Sequence, residues 1–392
     1  MNPPVGVAVL GATGSIGRST LNVLARHRDR FRVVALAAGS RAEALDRLAR
    51  ECDPDYVILA RSPASRFEPC WKGDWRFGPK AMLEAAADPN APIIVNGLVG
   101  FAGLESTIAS LQAGKRLALA NKESLVVGGE LVLDAAANGG GSLLPVDSEH
   151  SAISQCIAGR PASEVHRIVL TASGGPFREW PAERFESVQP EDALAHPTWS
   201  MGDKITVDSA TLANKALEVI EAHLLFGIDF DRIEVVVHPA SIVHSMVEFR
   251  DGSTVAQLGH PTMEVPILYA LSAPERLDNE FRSFDPVASS PLEFERLRRQ
   301  DFPMFDLGVQ AGREGGTAPA VYNAANEVAV RGFLEARLSF PGIPDLVERT
   351  IRAVSAGPIE SVQHLVEVDA ETRTVANGFL GTQPVSRGES PA

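Results

Sequence analysis

The stretch VGVAVLGATGSIGRSTLNVLARH, residues 5–27, decides the fold. An apolar run reads as a buried strand, a glycine-rich turn follows, and the remainder carries helical spacing. The glycines fall at Gly11, Gly14 and Gly17, a GxxGxxG variant of the dinucleotide fingerprint. Residues without bulk let the backbone approach a pyrophosphate, which then sits at the N-terminus of the following helix. Glycines also serve tight turns, so the triplet alone does not single out a nucleotide. Its position at the first strand-to-helix junction of an α/β pattern points to one.

Outward from that motif, FRVVALAAG, DYVILA, PIIVNGLVG and RLALANKES read as further strands with helical segments between several of them. The alternation predicts a Rossmann-type parallel sheet over residues 1–150 and an α/β chain. Residues 151–285 are mixed and predict a central α+β domain, in which SATLANKALEVIEAHLLFG reads as one strong helix with Ser209 as its N-cap. Residues 286–303, rich in Pro, Ser and charge, read as a linker. Helical periodicity then predicts a small C-terminal helical domain over 304–380, and 381–392 reads as a disordered tail.

The end of the second predicted strand bears on which nucleotide. NAD-binding domains usually place an acid there to hold the ribose hydroxyls. Here the chain has Gly39, Ser40 and Arg41, with no acid before Glu43. A serine and an arginine suit a 2′-phosphate, so the expected cofactor is NADPH. The competing explanation is a surface arginine at the start of the next helix.

Composition narrows the classes. A length of 392 residues suggests two or three domains, and 45% apolar with 22% charged residues is a globular mix. A net charge of -14 argues against a nucleic-acid partner, which would need a basic stripe. No apolar run is long enough to span a membrane. The N-terminus lacks the basic region of a signal peptide, and Cys52, Cys70 and Cys156 form neither a disulfide framework nor a zinc spacing. A cytoplasmic location is expected.

A second stretch, LPVDSEHSAISQC at 144–156, puts Asp147 and Glu149 two apart where a helical pattern begins. Acids favour helix N-termini, which explains such a pair without any ligand. A divalent metal is the alternative, and it needs another oxygen ligand. Asn214, Lys215 and Glu218 lie on adjoining faces of one predicted helix, where an ordinary surface ion pair is again the simpler account. Together, Asp147, Glu149 and Glu218 would make an all-oxygen site suited to Mg²⁺ or Mn²⁺. TASGGPFR at 171–178 offers a Ser/Gly turn, and HPTWSMGDK at 196–204 a loop with His, Trp and Met. Backbone N–H groups, hydroxyls, an amide and a lysine make a credible phosphate cradle.

GATGSIG, ALANKES, PVDSEHSAI, TASGGPFR, HPTWSMG, VDSATLANKALEVIEAH, HPASIVHSMVEF, AQLGHPTM and NAANEVAV occur in the order seen in one family. With these motifs the chain resembles the 1-deoxy-D-xylulose 5-phosphate reductoisomerase family, from the glycine loop to the C-terminal helices. The resemblance implies an NADPH- and metal-dependent enzyme that rearranges a phosphorylated sugar by retro-aldol cleavage and re-aldolisation, then reduces the aldehyde. It implies that Thr13, Gly14, Ser15 and Ile16 bind NADPH, that Gly39, Ser40 and Arg41 flank its 2′-phosphate, and that Asn121, Glu123 and Gly202 add cofactor contacts. Asp147, Glu149 and Glu218 match metal ligands and, with Lys122, form the expected catalytic group.

Lys122, Ser148 and Glu149 would meet the reacting end of the substrate, with Glu218 beside them. Ser173, His196, Ser209, Asn214 and Lys215 would bind its far side, chiefly the phosphate. Trp199 would lie in a mobile flap, with His244 near the site. A homodimer is implied as well. One departure stands at 39–41, where the family pattern has glycine, a basic or small residue and asparagine; Gly39-Ser40-Arg41 keeps positive charge but changes the contacts. Two rivals remain, a semialdehyde or dihydrodipicolinate-type NADPH reductase and an NADP-binding redox sensor. Neither needs the three carboxylates.

Overall fold

The computed structural model describes residues 3–61, 67–280 and 284–381. Of the tail expected at 381–392, all but the first residue lies outside the described residues. Seven strands, β1 (Val5–Leu10), β2 (Phe31–Ala38), β3 (Tyr56–Leu59), β4 (Asp74–Phe77), β5 (Ile93–Asn96), β6 (Arg116–Leu119) and β7 (Ser142–Pro145), form one parallel sheet in the order β4-β3-β2-β1-β5-β6-β7. The central strands are apolar along their length because helices cover both faces; Val7 to Leu10 and Ala35 to Ala38 have no exposed surface. The order reverses between β1 and β5, and such a switch point opens a crevice beyond the strands' carboxyl ends.

The glycine loop sits at that crevice, and its glycines have different jobs. Gly11 has φ +87°, and a Cβ on it would lie 2.4 Å from the carbonyl oxygen of Gly97, just past β5. At Gly17 a Cβ would fall 2.4 Å from the Ala12 carbonyl oxygen, so only glycine lets the helix Ser15–Arg26 lie this close to its own loop.

A second sheet carries β8 (Val165–Ala172), β9 (Ile233–Val237), β10 (Val243–Phe249), β11 (Thr254–Leu258) and β12 (Glu295–Arg296), in the order β11-β10-β8-β9-β12. Only β8 and β9 run parallel. The stretch read as a linker therefore supplies a short edge strand, β12, antiparallel to β9.

The helix expected to begin at Ser209 is in fact two, Asp203–Thr211 and Ala213–Phe226. They meet at Leu212, whose φ of 62° is left-handed and ends the first helix as a glycine would. Ser209 is thus in the last turn of the first helix and is no N-cap. The physical reason is tertiary: the Leu212 side chain is buried in the core it shares with Ile168 and Val247 of the second sheet, and the Thr211 hydroxyl accepts the Ala213 N–H at 3.3 Å.

Helices Pro303–Glu314, Ala318–Leu334, Gly342–Ala353 and Val362–Gly381 complete the chain. Phe333, Ile343, Leu346 and Leu380 share a core with Val165, Ile168 and Val247 of the second sheet. Ala320, Val321, Leu365 and Val368 pack instead with Leu104, Leu111, Leu117 and Leu125 of the first. Among the described residues no helix is long and apolar enough to cross a membrane.

Candidate active site

Three helices bring the charged residues together. Beyond β6, Asn121 caps the helix Lys122–Gly128 by accepting the Ser124 N–H at 3.2 Å, which directs Lys122 inward. Beyond β7, Asp147 is the N-cap residue of the helix Ser148–Ile157, and Glu149 stands in its first turn. The helix Ala213–Phe226 adds Asn214, Lys215 and Glu218. All line one cavity of about 390 Å³, together with Ser15 and Ile16 from the glycine loop, Ser148, Ser173, His196, Trp199 and Ser209. Every expected catalytic and substrate residue therefore faces the same space.

The expected cofactor residues divide. Ser15 and Ile16 line the cavity, whereas Thr13, Gly14, Gly39, Ser40, Arg41, Asn121, Glu123 and Gly202 lie outside its lining. Gly39, Ser40 and Arg41 are exposed at the end of β2. Asn121 and Glu123 are buried and engaged: Asn121 Nδ2 donates to the carbonyls of Leu98 and Gly100 at 3.0 Å and to Glu123 Oε2 at 3.1 Å.

Two ammonium groups thread the three carboxylates. Lys122 pairs with Asp147 and lies 3.2 Å from Glu218 Oε1. Lys215 reaches Glu149 Oε1 at 2.8 Å and the Thr171 carbonyl at 2.7 Å, and also pairs with Glu218. Asn214 Nδ2 donates to Glu218 Oε1 at 2.5 Å, and the Ser148 hydroxyl to Glu149 Oε2 at 2.5 Å. Burial opposes the charge on Lys122, but Asp147, Glu218 and Glu221 outweigh it and hold the ammonium well above the ordinary lysine range. Burial likewise opposes the Glu149 charge, yet Lys215 and the Ser148 hydroxyl hold its carboxyl at about 2. Asp147 goes the other way: burial raises it against the pull of Lys122, with Glu149 adding repulsion.

Hard carboxylate oxygens around one cavity are a donor set for Mg²⁺ rather than for zinc. Lys122 and Lys215 stand between these carboxylates and neutralise charge that a divalent cation would otherwise neutralise. Among the described residues, the triple whose ligand atoms draw within 4.8 Å of one another is Asp147, His150 and Glu221. Burial pushes His150 down to about 4, so its imidazole is neutral near pH 7, and it pushes the Glu221 carboxyl up. His150 Nε2 lies 2.8 Å from the Glu218 carbonyl, and its Nδ1 is 3.3 Å from Glu221 Oε2. With Nε2–H donating to that carbonyl, Nδ1 carries no proton and faces Glu221 without a hydrogen bond to it. The Nε2 bond braces the helix carrying Glu149 against the helix carrying Glu218.

On the opposite wall, His196 Nδ1 accepts the N–H groups of Thr198 at 3.1 Å and Trp199 at 2.9 Å. The proton therefore sits on Nε2, which donates to the Ser173 hydroxyl at 3.1 Å. Burial lowers the His196 pKa and favours this neutral form. Trp199 is half-buried, its ring 6.5 Å from that of His244.

Sequence reasoning gave no role to several lining groups. Thr171 and Ser241 border the cavity, as do Pro261, Thr262 and Met263 of the AQLGHPTM motif, and His244, placed only near the site, lines it. The motifs signalled these segments, but nothing in their spacing said which side chains turn inward. The His150 brace was missed entirely. A histidine beside a metal-ligand pattern was its only signal.

Family models described as 1-deoxy-D-xylulose 5-phosphate reductoisomerase, its C-terminal domain, and the DXP reductoisomerase C-terminal domain match residues 7–129, 143–226 and 258–375. The reductoisomerase of Ralstonia nicotianae is 47% identical over 383 residues, covering 95% of this chain and 98% of the relative. That of Rhodococcus jostii is 50% identical over 382 residues, covering 97% and 95%. Among solved structures, the Zymomonas mobilis reductoisomerase in complex with NADPH superposes with a TM-score of 0.89 at 39% identity, covering 97% of this chain and 100% of that one. A DOX-P reductoisomerase in complex with NADPH, fosmidomycin and magnesium gives 0.90 at 36% identity, covering 98% and 100%. The chain belongs to the 1-deoxy-D-xylulose 5-phosphate reductoisomerase family.

Proposed function

We propose that this cavity converts 1-deoxy-D-xylulose 5-phosphate to 2-C-methyl-D-erythritol 4-phosphate, using NADPH and a divalent cation. The observation that carries the reading is one cavity with a dinucleotide-type glycine loop on one wall and the Asp147, Glu149 and Glu218 carboxylates on another. When bound, a divalent cation offsets the negative charge that develops on the ketone and neighbouring hydroxyl oxygens, and NADPH supplies the hydride.

The chain's own groups have matching tasks. Glu149 stays ionised at any working pH, so it is a ligand and not an acid. Lys122, held charged, donates to a reacting oxygen and stabilises its developing charge rather than acting as a base. Ser148 orients Glu149 through its hydroxyl. Ser173, neutral His196, Ser209, Asn214 and Lys215 present hydroxyl, imidazole, amide and ammonium donors to a phosphate. Binding energy from that remote group positions the reacting carbons. Trp199 covers the bound sugar and keeps water from the cleaved intermediate. Ser15 and Ile16 set the nicotinamide side of the space, and Ser40 and Arg41 meet the 2′-phosphate.

Finer points of the proposal are use of Mg²⁺ or Mn²⁺, a role in isoprenoid precursor synthesis, a cytoplasmic location and a homodimer. The edge strand β11, with Val255 exposed, is a surface a second copy would cover.

The test follows NADPH absorbance with 1-deoxy-D-xylulose 5-phosphate, with Mg²⁺ present and after chelation. Oxidation should need the metal and fall roughly 10²–10³-fold in Glu218→Gln, with NADPH binding intact. A folded, metal-loaded protein that oxidises no NADPH would sink the reading.

A further inference from the structure

Among the sequence motifs, NAANEVAV received no role, and its helix, Ala318–Leu334, contributes no residue to the cavity lining. Its polar side chains are nevertheless buried and aimed at the parts that flank the cavity. Asn326, with no exposed surface, donates through Nδ2 to Asp208 Oδ1 at 2.8 Å. Asp208 Oδ2 lies 2.8 Å from Lys204 Nζ, and Lys204 Nζ lies 3.0 Å from Glu123 Oε1. The other oxygen of Glu123 accepts from Asn121, whose Nδ2 also holds the Leu98 and Gly100 carbonyls beyond β5. At the next position of the same helix, Glu327 accepts the Phe101 N–H at 3.3 Å and is held by Arg373 at 2.7 Å.

The centre of this chain is Lys204. It stands in the first turn of the helix Asp203–Thr211, directly after residues 195–202, which form neither helix nor strand. That irregular segment has two anchors. At its start, His196 binds Ser173 on the phosphate side of the cavity. At its end, Lys204 binds Glu123, whose neighbours fix the loop after β5 at the switch-point crevice. Burial opposes the ammonium, yet Asp208 and Glu123 outweigh it, so the lysine is a permanent cationic tie. Nothing in the chemistry of the cavity requires an ion pair here, and an exposed lysine would avoid the cost of desolvation.

We infer that Lys204 is a positioning residue that joins the cofactor side to the substrate side: through Glu123 it fixes the end of segment 195–202 against the crevice, so that an occupied crevice strengthens binding of the sugar phosphate beneath Trp199. The inference rests on the function proposed above. A ligand that orders the loop after β5 fixes Asn121 and Glu123, and through them Lys204. The ordering cost of the segment is then already met when the substrate arrives, which is positive coupling without new contacts between the ligands.

The test is calorimetric titration of the metal-loaded protein with 1-deoxy-D-xylulose 5-phosphate, alone and with saturating NADP⁺, which carries no hydride. In the parent protein NADP⁺ should tighten sugar-phosphate binding about fivefold or more. In Lys204→Met that ratio should fall below about twofold, with NADP⁺ affinity on its own changed less than about threefold, and Lys204→Arg should restore most of the ratio. A purely structural role would lower the melting temperature and both affinities together, leaving the ratio intact. Should Lys204→Met not fold, Asn326→Ala leaves both ion pairs in place and carries the test, with the ratio expected to drop by at least about half. A full ratio in these folded variants, or a parent ratio of one, overturns the inference. Failure of the parent to oxidise NADPH would instead strike the function itself, and the two failures are read in separate assays.

Discussion

The two walls of the cavity are specified in opposite ways. On the nucleotide side the decisive contacts are backbone against backbone: Gly11 beside Gly97, and Gly17 against Ala12. That wall works because side chains are missing. On the carboxylate side the decisive contacts are charged groups from helices far apart in the chain, with Lys122 and Lys215 threaded through Asp147, Glu149 and Glu218. There each group's state depends on its neighbours, and removing one leaves others buried and uncompensated. The first wall is sensitive to bulk and the second to charge.

Perturbations that add one without the other sharpen the contrast. The largest effect should come from bulk at the glycine wall. Gly17→Ala drives a methyl into the Ala12 carbonyl and should cost about 2–3 kcal/mol of stability by denaturant unfolding, with NADPH affinity falling in parallel. If Gly17→Ala melts and binds like the parent, the close packing of helix and loop is not what holds that wall.

A middle-sized effect should appear on the charged wall as pH dependence. Burial holds His150 at about 4, below its ordinary 6.5. The unfolded chain takes up this proton as pH falls through 6.5 and the folded chain only near 4, so stability present above 6.5 declines across that window. In metal-free protein, His150→Gln should flatten the decline by about 2 kcal/mol, followed by melts from pH 7.5 to 4.5. An unchanged pH profile would remove His150 from the brace.

The smallest effect belongs to the exposed rim. Arg41→Ala should weaken NADPH by about 1 kcal/mol, roughly fivefold, and leave NADH binding where it was. Equal losses for both nucleotides would mean that Arg41 does not meet the 2′-phosphate.

The same contrast explains what could be read in the sequence. The parallel sheet and glycine loop were legible because their determinants are local: apolar runs, glycines at fixed offsets, a helix directly after. The two carboxylate segments were also visible, since Asp147 and Glu149 share one helix start and Asn214, Lys215 and Glu218 one helix. The break at Leu212 was hidden, because no glycine or proline marks it and burial of the leucine decides it. Hidden too were the two lysines lodged among the acids, the bond from His150 to the Glu218 carbonyl, and the bond from Asn326 to Asp208. These depend on which helices meet, and helical periodicity reports only that each has a buried face.

The return of the C-terminal helices to the first sheet bears on how the chain is made. Leu104, Leu111, Leu117 and Leu125 find part of their cover in Ala320, Val321, Leu365 and Val368. A ribosome releases the nucleotide half early, with that patch still bare, and nascent apolar surface of this kind invites aggregation or a chaperone. The half of the molecule synthesised first is the half completed last.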